Sequence, residues 1–300
     1  TWAFDLPDGP DCSHAPQPLI LRMDTARPFI AGGRTAEAAL IRLAGRHGVP
    51  VPRVLWCEED AALLGGGFLI MERVPGESRV GPLLADPRYA RTREVLLEQL
   101  ADALARIHRI GPGDDAEEAT GLRRLPQAEA VAHLEALYRE RAVELHPVLE
   151  LGLRWLHGHL PPATPLALVH GDFRPGNVLY DEAGLRAVLD WELAYFGDPL
   201  ADVAWVALRS WRGGHDALEV GGLGSREAFH RAYERAGGRA VEGGPLRFWD
   251  VFATVRWGVV TLMELAGFLS GLPNIELASL GRRTAEIEWD LLTLLEQGED

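Results

Sequence analysis

The sequence contains no lysine: all 30 of its basic residues are arginine. That absence excludes Schiff-base catalysis, a lysine general base and a Walker-type phosphate loop, each of which needs the ε-amino group. With alanine, glycine, proline and arginine all abundant, it reads most simply as a GC-rich coding bias. Cysteine is almost as scarce. Cys12 and Cys57 stand far apart, outside any CxxC or metal-ligand spacing, so a reducing cytoplasm is the expected compartment. No block of basic residues occurs and the formal net charge is −14, so a nucleic-acid partner, which has to be met with clustered cations, is not expected. Long uncharged apolar runs are missing too. The most apolar stretch, residues 255–272, carries Arg256 and Glu264 and is interrupted by Gly267 and Gly271. It predicts a buried helix rather than a membrane span, and no membrane partner. No signal peptide is present, and the chain opens at Thr1 without a methionine, so further residues are expected upstream.

What remains is the composition of a soluble globular protein, 47% hydrophobic and 25% charged over 300 residues, long enough for one large or two medium domains. The first 75 residues read β, then α, then β. "TWAFDL" and "PLILRM" suit a hairpin, and "TAEAALIRLAGRH" has helical periodicity. "GVPVPRVLWCEED" and "GGGFLIMERV" are extended, with Pro50 and Pro52 confining their segment to a sheet edge or a loop. After the breaker "PGES" the texture turns helical. A helix is predicted over 86–110, opened by an Asp-Pro cap, and others near 126–145, 147–160, 199–210, 225–237, 245–270 and 278–297. No internal repeat is visible. A small β-rich part over 1–73 and a larger, mainly helical part over 74–300 are expected, with a ligand cleft between them.

One stretch interrupts the helical half: "LVHGDFRPGNVLYDEAGLRAVLDWE", residues 168–192. Its apolar runs at 178–180 and 185–190 predict a β-hairpin turning at "DEAG". A hairpin brings its ends together, so Asn177 and Asp190 should be neighbours. Both are oxygen donors suited to Mg²⁺, which takes few protein ligands and keeps phosphate or water for the rest. Asp172 precedes Asn177 by five positions and follows His170 by two, a spacing that matches the catalytic loop of protein-kinase-type phosphoryl transfer.

"HGDFRPGN" (170–177) followed by "VLDWE" (188–192) resembles the signature of the aminoglycoside phosphotransferase / choline kinase-like family. "FGDPLADVAW" (196–205), "LILRMD" (19–24), "EAALIRLAGRHGVPVPRV" (37–54) and "FLIMERVPG" (68–76) are similar to further segments of that family, in the same order. The resemblance is greatest to the small-molecule phosphotransferase subgroup that includes the kinase-like domain fused to some acyl-CoA dehydrogenases. It implies a protein-kinase-like, two-lobe α+β fold, with ATP and Mg²⁺ as cofactors and a small-molecule hydroxyl as acceptor. By the same resemblance Asp172 would be the base, and Asn177 and Asp190 would hold the metal. His170 would scaffold the loop and Asp202 would brace it. Backbone groups from Met71 through Glu72 to Val74 would meet adenine. Arg22 stands where the family often carries a phosphate-binding lysine, and Glu37 resembles its helix partner. The family's phosphate-covering loop would lie before Thr1.

Several residues keep an ordinary reading beside the functional one. Arg22 could be a strand residue facing solvent, and Glu37 suits a first helical turn on dipole grounds alone. Glu192 could orient a metal ligand from behind or simply be a solvated acid. Asp198 before Pro199 predicts a helix N-cap, and His108 on an apolar helix face predicts a satisfied core or packing histidine rather than a ligand. The function expected is ATP-dependent O-phosphotransfer to an aminoglycoside-like molecule or to a hydroxylated metabolite or acyl-CoA. The rivals are a nucleotide-binding pseudokinase serving as scaffold or sensor and, more remotely, a metal-dependent hydrolase built on His170, Asp172, Asp190 and Glu192.

Overall fold

The structure, a computed structural model, describes residues 1–6, 17–23, 33–113, 119–142, 144–271 and 274–297; Cys12 lies outside the described residues. Strands β1 (Trp2–Leu6), β2 (Gln17–Met23), β3 (Val54–Glu58) and β4 (Phe68–Glu72) form one antiparallel sheet in the order β1-β2-β4-β3. The hairpin read from the first two apolar runs is there, with Trp2 opposite Leu21 and Leu6 opposite Gln17. Among the described residues β3 pairs with β4 only. Pro50 and Pro52 lie in the loop just before it, the loop half of the edge-or-loop expectation, where a missing N–H interrupts no ladder.

Helix α1 (Gly33–Arg46) lies on this sheet, contacting β3 and β4. Its buried face holds Ala36, Leu40, Ile41, Leu43 and Ala44 and also one acid, Glu37, at 0% exposure. The short helix α2 (Ala61–Leu64) joins β3 to β4. Beyond β4 the chain is anchored to the 168–192 stretch by a two-way bridge: Glu77 N–H donates to Tyr180 O at 2.8 Å and Tyr180 N–H to Glu77 O at 2.9 Å. Helix α3 (Val80–Ala85) and a 3-10 turn (Pro87–Tyr89) lead into α4 (Ala90–Ile107). As predicted, Asp86 caps the turn, accepting from Arg88 N–H at 2.9 Å with Pro87 behind it. Leu96, Leu100, Ala103, Leu104 and Ile107 of α4 are buried at the three- and four-residue spacing of one helix face.

Helices Gln127–Arg141, Pro147–Gly158, Arg226–Arg235 and Gly243–Leu269 complete most of the larger part. The last is long and apolar enough to cross a membrane, yet Phe248, Trp249, Val251, Val255 and Val259 along it sit in the protein core, as the buried-helix reading of 255–272 requires. Two helix expectations need correction. The single helix read over 278–297 is two, Ile275–Gly281 and Thr284–Glu296. The break falls at Gly281, where the chain runs so close to its neighbour that a Cβ would lie 2.8 Å from the Leu265 Cβ. The helix read over 199–210 stops at Trp205. The Trp211 indole N–H takes the Trp205 carbonyl at 2.8 Å and Arg212 takes the Ala207 carbonyl at 3.1 Å, so side chains satisfy acceptors that a further turn would have used.

Two small ribbons carry the unusual stretch. β5 (Ala167–Val169) pairs with β8 (Tyr195–Gly197), and the predicted hairpin is β6 (Val178–Asp181) with β7 (Gly184–Val188). Asp181 Oδ1 accepts from Ala183 N–H at 2.8 Å and closes the hairpin turn. Phe173 and Trp191, both at 1% exposure, pin the loops before and after it, each large apolar group contributing about 1.5–3 kcal/mol by burial.

Candidate active site

The loop from His170 to Asn177 links β5 to β6, and the loop from Leu189 to Ala194 links β7 to β8. The first opens on Gly171 at φ 83°, where a Cβ would fall 2.2 Å from Leu193 O; only glycine fits that contact and that conformation. Both amides at the bend are held by one side chain. His170 N–H donates to Asp202 Oδ2 at 2.7 Å and Gly171 N–H to Asp202 Oδ1 at 2.9 Å. Asp202 is buried, which by itself would raise its carboxyl pKa, but the hydrogen bond from His108 and the nearby histidine charges and amides outweigh burial and hold it below the ordinary value. Asp202 thus bonds the first two residues of the loop that carries Asp172.

His170 is fully buried. Its Nε2 lies 2.9 Å from Leu189 O, a group that can only accept, so Nε2 carries the proton; Nδ1 accepts from Asp172 N–H at 3.2 Å. Burial pushes the imidazole pKa down, with nearby Asp202 and Asp172 only partly opposing it. A neutral ring bonded on both nitrogens to backbone is a strut between the two loops, in line with the scaffold reading.

Asp172 is 15% exposed and surrounded by donors. Asn177 Nδ2 reaches its Oδ2 at 2.6 Å and its carbonyl at 2.9 Å; Trp205 Nε1 reaches Oδ1 at 2.8 Å; Arg174 Nε straddles both oxygens at 3.1 and 3.3 Å. Since both Asp172 atoms facing Asn177 are acceptors, the Asn177 amide nitrogen must point there, which leaves Oδ1 for another partner. Leu189 N–H donates to Asn177 O at 2.9 Å, so the two ends of the hairpin meet as predicted.

Asp190, just after that junction, has φ 64° and ψ 60° and is the one described residue other than glycine at positive φ. Such a backbone costs about 1–3 kcal/mol and is retained where it aims a side chain. The Glu192 carboxyl beside it is pushed up by burial and by the negative charge of Asp190. Their cationic neighbour is Arg22, whose guanidinium lies 3.5 Å from Asp190 and 3.8 Å from Glu192. Arg22 also pairs with Glu37 at 2.7 Å, so the solvent-facing alternative for this strand residue is wrong: it points inward, towards the acids. Glu37 is gripped from its other oxygen by Arg34, which sequence reasoning missed. Arg34 also donates to Met23 O at 3.1 Å.

Of the linker residues, Met71 lies in the ladder opposite Ile20 and Val54. Glu72 is largely engaged: its N–H donates to Arg53 O and its Oε1 accepts from Arg53 N–H, both at 3.0 Å, so its carbonyl is what it can still offer. Arg73 N–H is taken by Pro18 O at 3.0 Å. Among the described residues no hydrogen bond engages the backbone of Val74. Asp198 caps the Leu200–Trp205 helix as expected, accepting from Leu200 N–H at 3.0 Å, and also receives Gln127, Thr164 and Arg239. His108 is the satisfied core histidine expected: its Nε2 meets Asp202 Oδ2 at 3.1 Å and its Nδ1 meets Tyr233 OH at 2.7 Å. A histidine on a buried helix face had to find polar partners, but nothing in the sequence named them.

The donor set fits Mg²⁺. Asn177 Oδ1 and Asp190 are hard oxygen groups, and two adjacent carboxylates neutralised only at 3.5 Å or more leave negative charge for a cation. Among the described residues no three His, Cys, Asp or Glu side chains cluster as metal ligands.

Solved structures share this architecture. One from Ralstonia eutropha, described as a candidate aminoglycoside phosphotransferase, superposes with TM-score 0.72 at 22% identity, covering 97% of this chain and 92% of that one. A thermostable mutant of aminoglycoside phosphotransferase APH(4)-Ia, solved as a ternary complex with ADP and hygromycin B, gives TM-score 0.62 at 18% identity over 100% and 95% of the two chains. The fold is protein-kinase-like. In sequence, the chain is 29% identical to mouse acyl-CoA dehydrogenase family member 10 over 93% of its own length, but spans only 28% of that protein. It is 28% identical to the aminoglycoside 3'-phosphotransferase of Streptomyces fradiae over 69% of this chain and 75% of that one. Residues 14–242 match the phosphotransferase enzyme family as a whole, from the β-sheet through the braced loop and the acid pair, and the chain belongs to that family.

Proposed function

We propose that this chain transfers the terminal phosphoryl group of ATP to a hydroxyl of a small molecule. The observation that carries the reading is the Asp172 carboxylate, held by Asn177 and Trp205 within one loop of the Asp190–Glu192 acid pair. Phosphoryl transfer through a loose transition state asks the protein mainly for position and charge. Asp172 accepts the acceptor's hydroxyl proton as the new P–O bond forms and the bond to the departing ADP oxygen breaks. A carboxylate offers about four lone-pair sites. Trp205 and Asn177 each occupy one and Arg174 covers the remainder, so the acceptor hydroxyl binds where Arg174 now lies. Asn177 and Asp190 would hold Mg²⁺, whose contribution is to neutralise charge on the nucleotide phosphates. Arg22, whose guanidinium faces the same acids, would meet the phosphates, and Arg34 would keep Glu37 paired. The linker after residue 73, where the sheet-bearing lobe would meet the helical one, offers Glu72 O and the backbone of Val74 to adenine.

The charges near Asp172 favour one acceptor class. Arg174 lies on the base itself and Arg256 donates to Gly171 O at 2.5 Å. Behind them Arg123 lies 3.1 Å from His133, whose imidazole pKa is lowered by burial and then by Arg123 and Arg256. Cations here would repel a polyamine sugar and suit a hydroxylated metabolite or acyl thioester that bears a negative group, which accords with the relatives named as acyl-CoA dehydrogenase family members. The rival, a nucleotide-binding scaffold without turnover, draws on one observation, an arginine at the position of the phosphate-binding lysine. Calorimetric titration of ATP with and without Mg²⁺ tests the shared premise. Binding strengthened by the metal is expected; equal or absent binding in both would remove the phosphotransferase reading.

A further inference from the structure

Of the three side chains that hold Asp172, Asn177 also serves the metal and Arg174 yields its place to the acceptor, whereas Trp205 has no task in the reading above beyond its contact with the carboxylate. We propose that Trp205 is a positioning residue for Asp172, its indole N–H fixing the Oδ1 edge of the carboxylate and Arg256 fixing the indole. The inference rests on Asp172 acting as the base.

Trp205 ends the helix Leu200–Trp205, three residues after Asp202, so both side chains leave one face of a single turn. Asp202 takes the amides of His170 and Gly171, and Trp205 takes the side chain of the next residue, with Nε1 2.8 Å from Asp172 Oδ1. One short helix therefore sets both the backbone of the loop and the rotamer of its acid. The indole itself is closely packed. It is 3% exposed, the Arg256 guanidinium stacks on it at 4.3 Å, and the rings of Trp211 and Trp257 lie at 5.6 and 6.1 Å. Arg256 is tied down in turn by its bond to Gly171 O at 2.5 Å. The chain of contacts closes on itself: loop to Arg256, Arg256 to Trp205, Trp205 back to the loop.

The chemistry of the donor suits this task. An indole N–H can only donate and cannot take up a proton. It orients the carboxylate without adding a full positive charge that would suppress its basicity. Arg174 differs on each point. It is 31% exposed, stacks on Trp211 at 4.8 Å, and is a cation that an arriving phosphate would draw away. Once Arg174 leaves, Trp205 and Asn177 remain, one on each oxygen, and the lone pairs they leave are aimed at the acceptor.

The test has one arm that needs no acceptor. In a ¹H–¹⁵N spectrum of the indole groups of the full chain, the resonance missing from Trp205→Phe identifies Trp205. Asp172→Ala should move that resonance and speed its hydrogen exchange at least about tenfold, and Arg256→Gln should do the same to a smaller extent. The kinetic arm uses Mg-ATP and an acceptor drawn from a hydroxyl panel. Trp205→Phe should lower kcat about 10–100-fold, as expected for a misplaced base, with KM for Mg-ATP unchanged. Trp205→His, which keeps a ring N–H, should recover part of the loss. A Trp205 resonance indifferent to Asp172→Ala would overturn the proposal, as would wild-type kcat in Trp205→Phe. If that variant does not fold, the resonance missing from Trp205→His makes the identification, and the Asp172→Ala and Arg256→Gln spectra decide. If the wild type turns over no acceptor, the loss falls on the phosphotransferase reading, and the spectra still decide the role of Trp205.

Discussion

Asp172 and Asp190 belong to one continuous segment, yet the fold treats them in opposite ways. Asp172 is 15% exposed, in unremarkable backbone, with donors at 2.6, 2.8 and 3.1 Å. Asp190 is 39% exposed, in left-handed backbone, and its nearest cation is 3.5 Å away. Glu192 behind it is held above its ordinary pKa by burial and by Asp190. The Asp172 side of the site is preorganised by the protein, whereas the acid pair is less fully neutralised and, on the proposed reading, would be completed by a cation and its phosphates. Preorganisation is what a reaction driven by positioning needs from its base, and spare negative charge is what a metal-dependent nucleotide site needs from its ligands.

Breaking each side should therefore have distinct effects. The largest is expected from Asp172→Asn, which keeps shape but removes the proton acceptor: phosphoryl transfer should fall by about 10²–10⁴-fold while calorimetry still shows Mg-ATP binding. Next comes Asp202→Ala, which strands the His170 and Gly171 amides and His108 in the core. Stability should drop by about 3 kcal/mol in chemical denaturation, with activity lost alongside it. Asp190→Ala should act on the other side alone. The magnesium-dependent gain in ATP affinity should shrink about tenfold, or about 1.4 kcal/mol, with the metal-free affinity little changed.

The smallest effect sharpens the contrast by lying away from both. His230 has a buried Nε2 without a hydrogen-bond partner, and burial, followed by Arg226, pushes its pKa down to about 4. It binds a proton more weakly folded than unfolded. Its contribution to stability is complete above the unfolded value of about 6.5 and is lost as pH falls from there towards 4. His170, depressed in the same direction, adds to the same loss. His230→Gln should flatten the fall in denaturation midpoint between pH 7 and 5 and leave phosphoryl transfer unchanged.

The parts legible in the sequence were those written locally. The hairpin, the D-x-x-x-x-N loop, the Asp86 cap and the edge strand after Pro50 and Pro52 all follow from turn chemistry and short-range spacing, and the structure has them. Arg34, His108 and Trp205 were not assigned their partners, because each acts across a gap that only the tertiary fold closes. His108 meets Asp202 from another helix, and Trp205 reaches Asp172 across the core. The helix ends were lost for a related reason. Trp205 stops its helix because Trp211 and Arg212 take the carbonyls beyond, and Gly281 splits another because Leu265 sits against it.

The most direct measurement is transfer of the labelled terminal phosphate of ATP, with Mg²⁺, to a panel of small hydroxyl compounds that includes both aminoglycosides and anionic hydroxy acids and their thioesters, run beside Asp172→Asn. The account predicts a labelled product with the wild type, formed from anionic acceptors in preference to aminoglycosides and absent with the variant. Label transfer that persists undiminished in Asp172→Asn would contradict it.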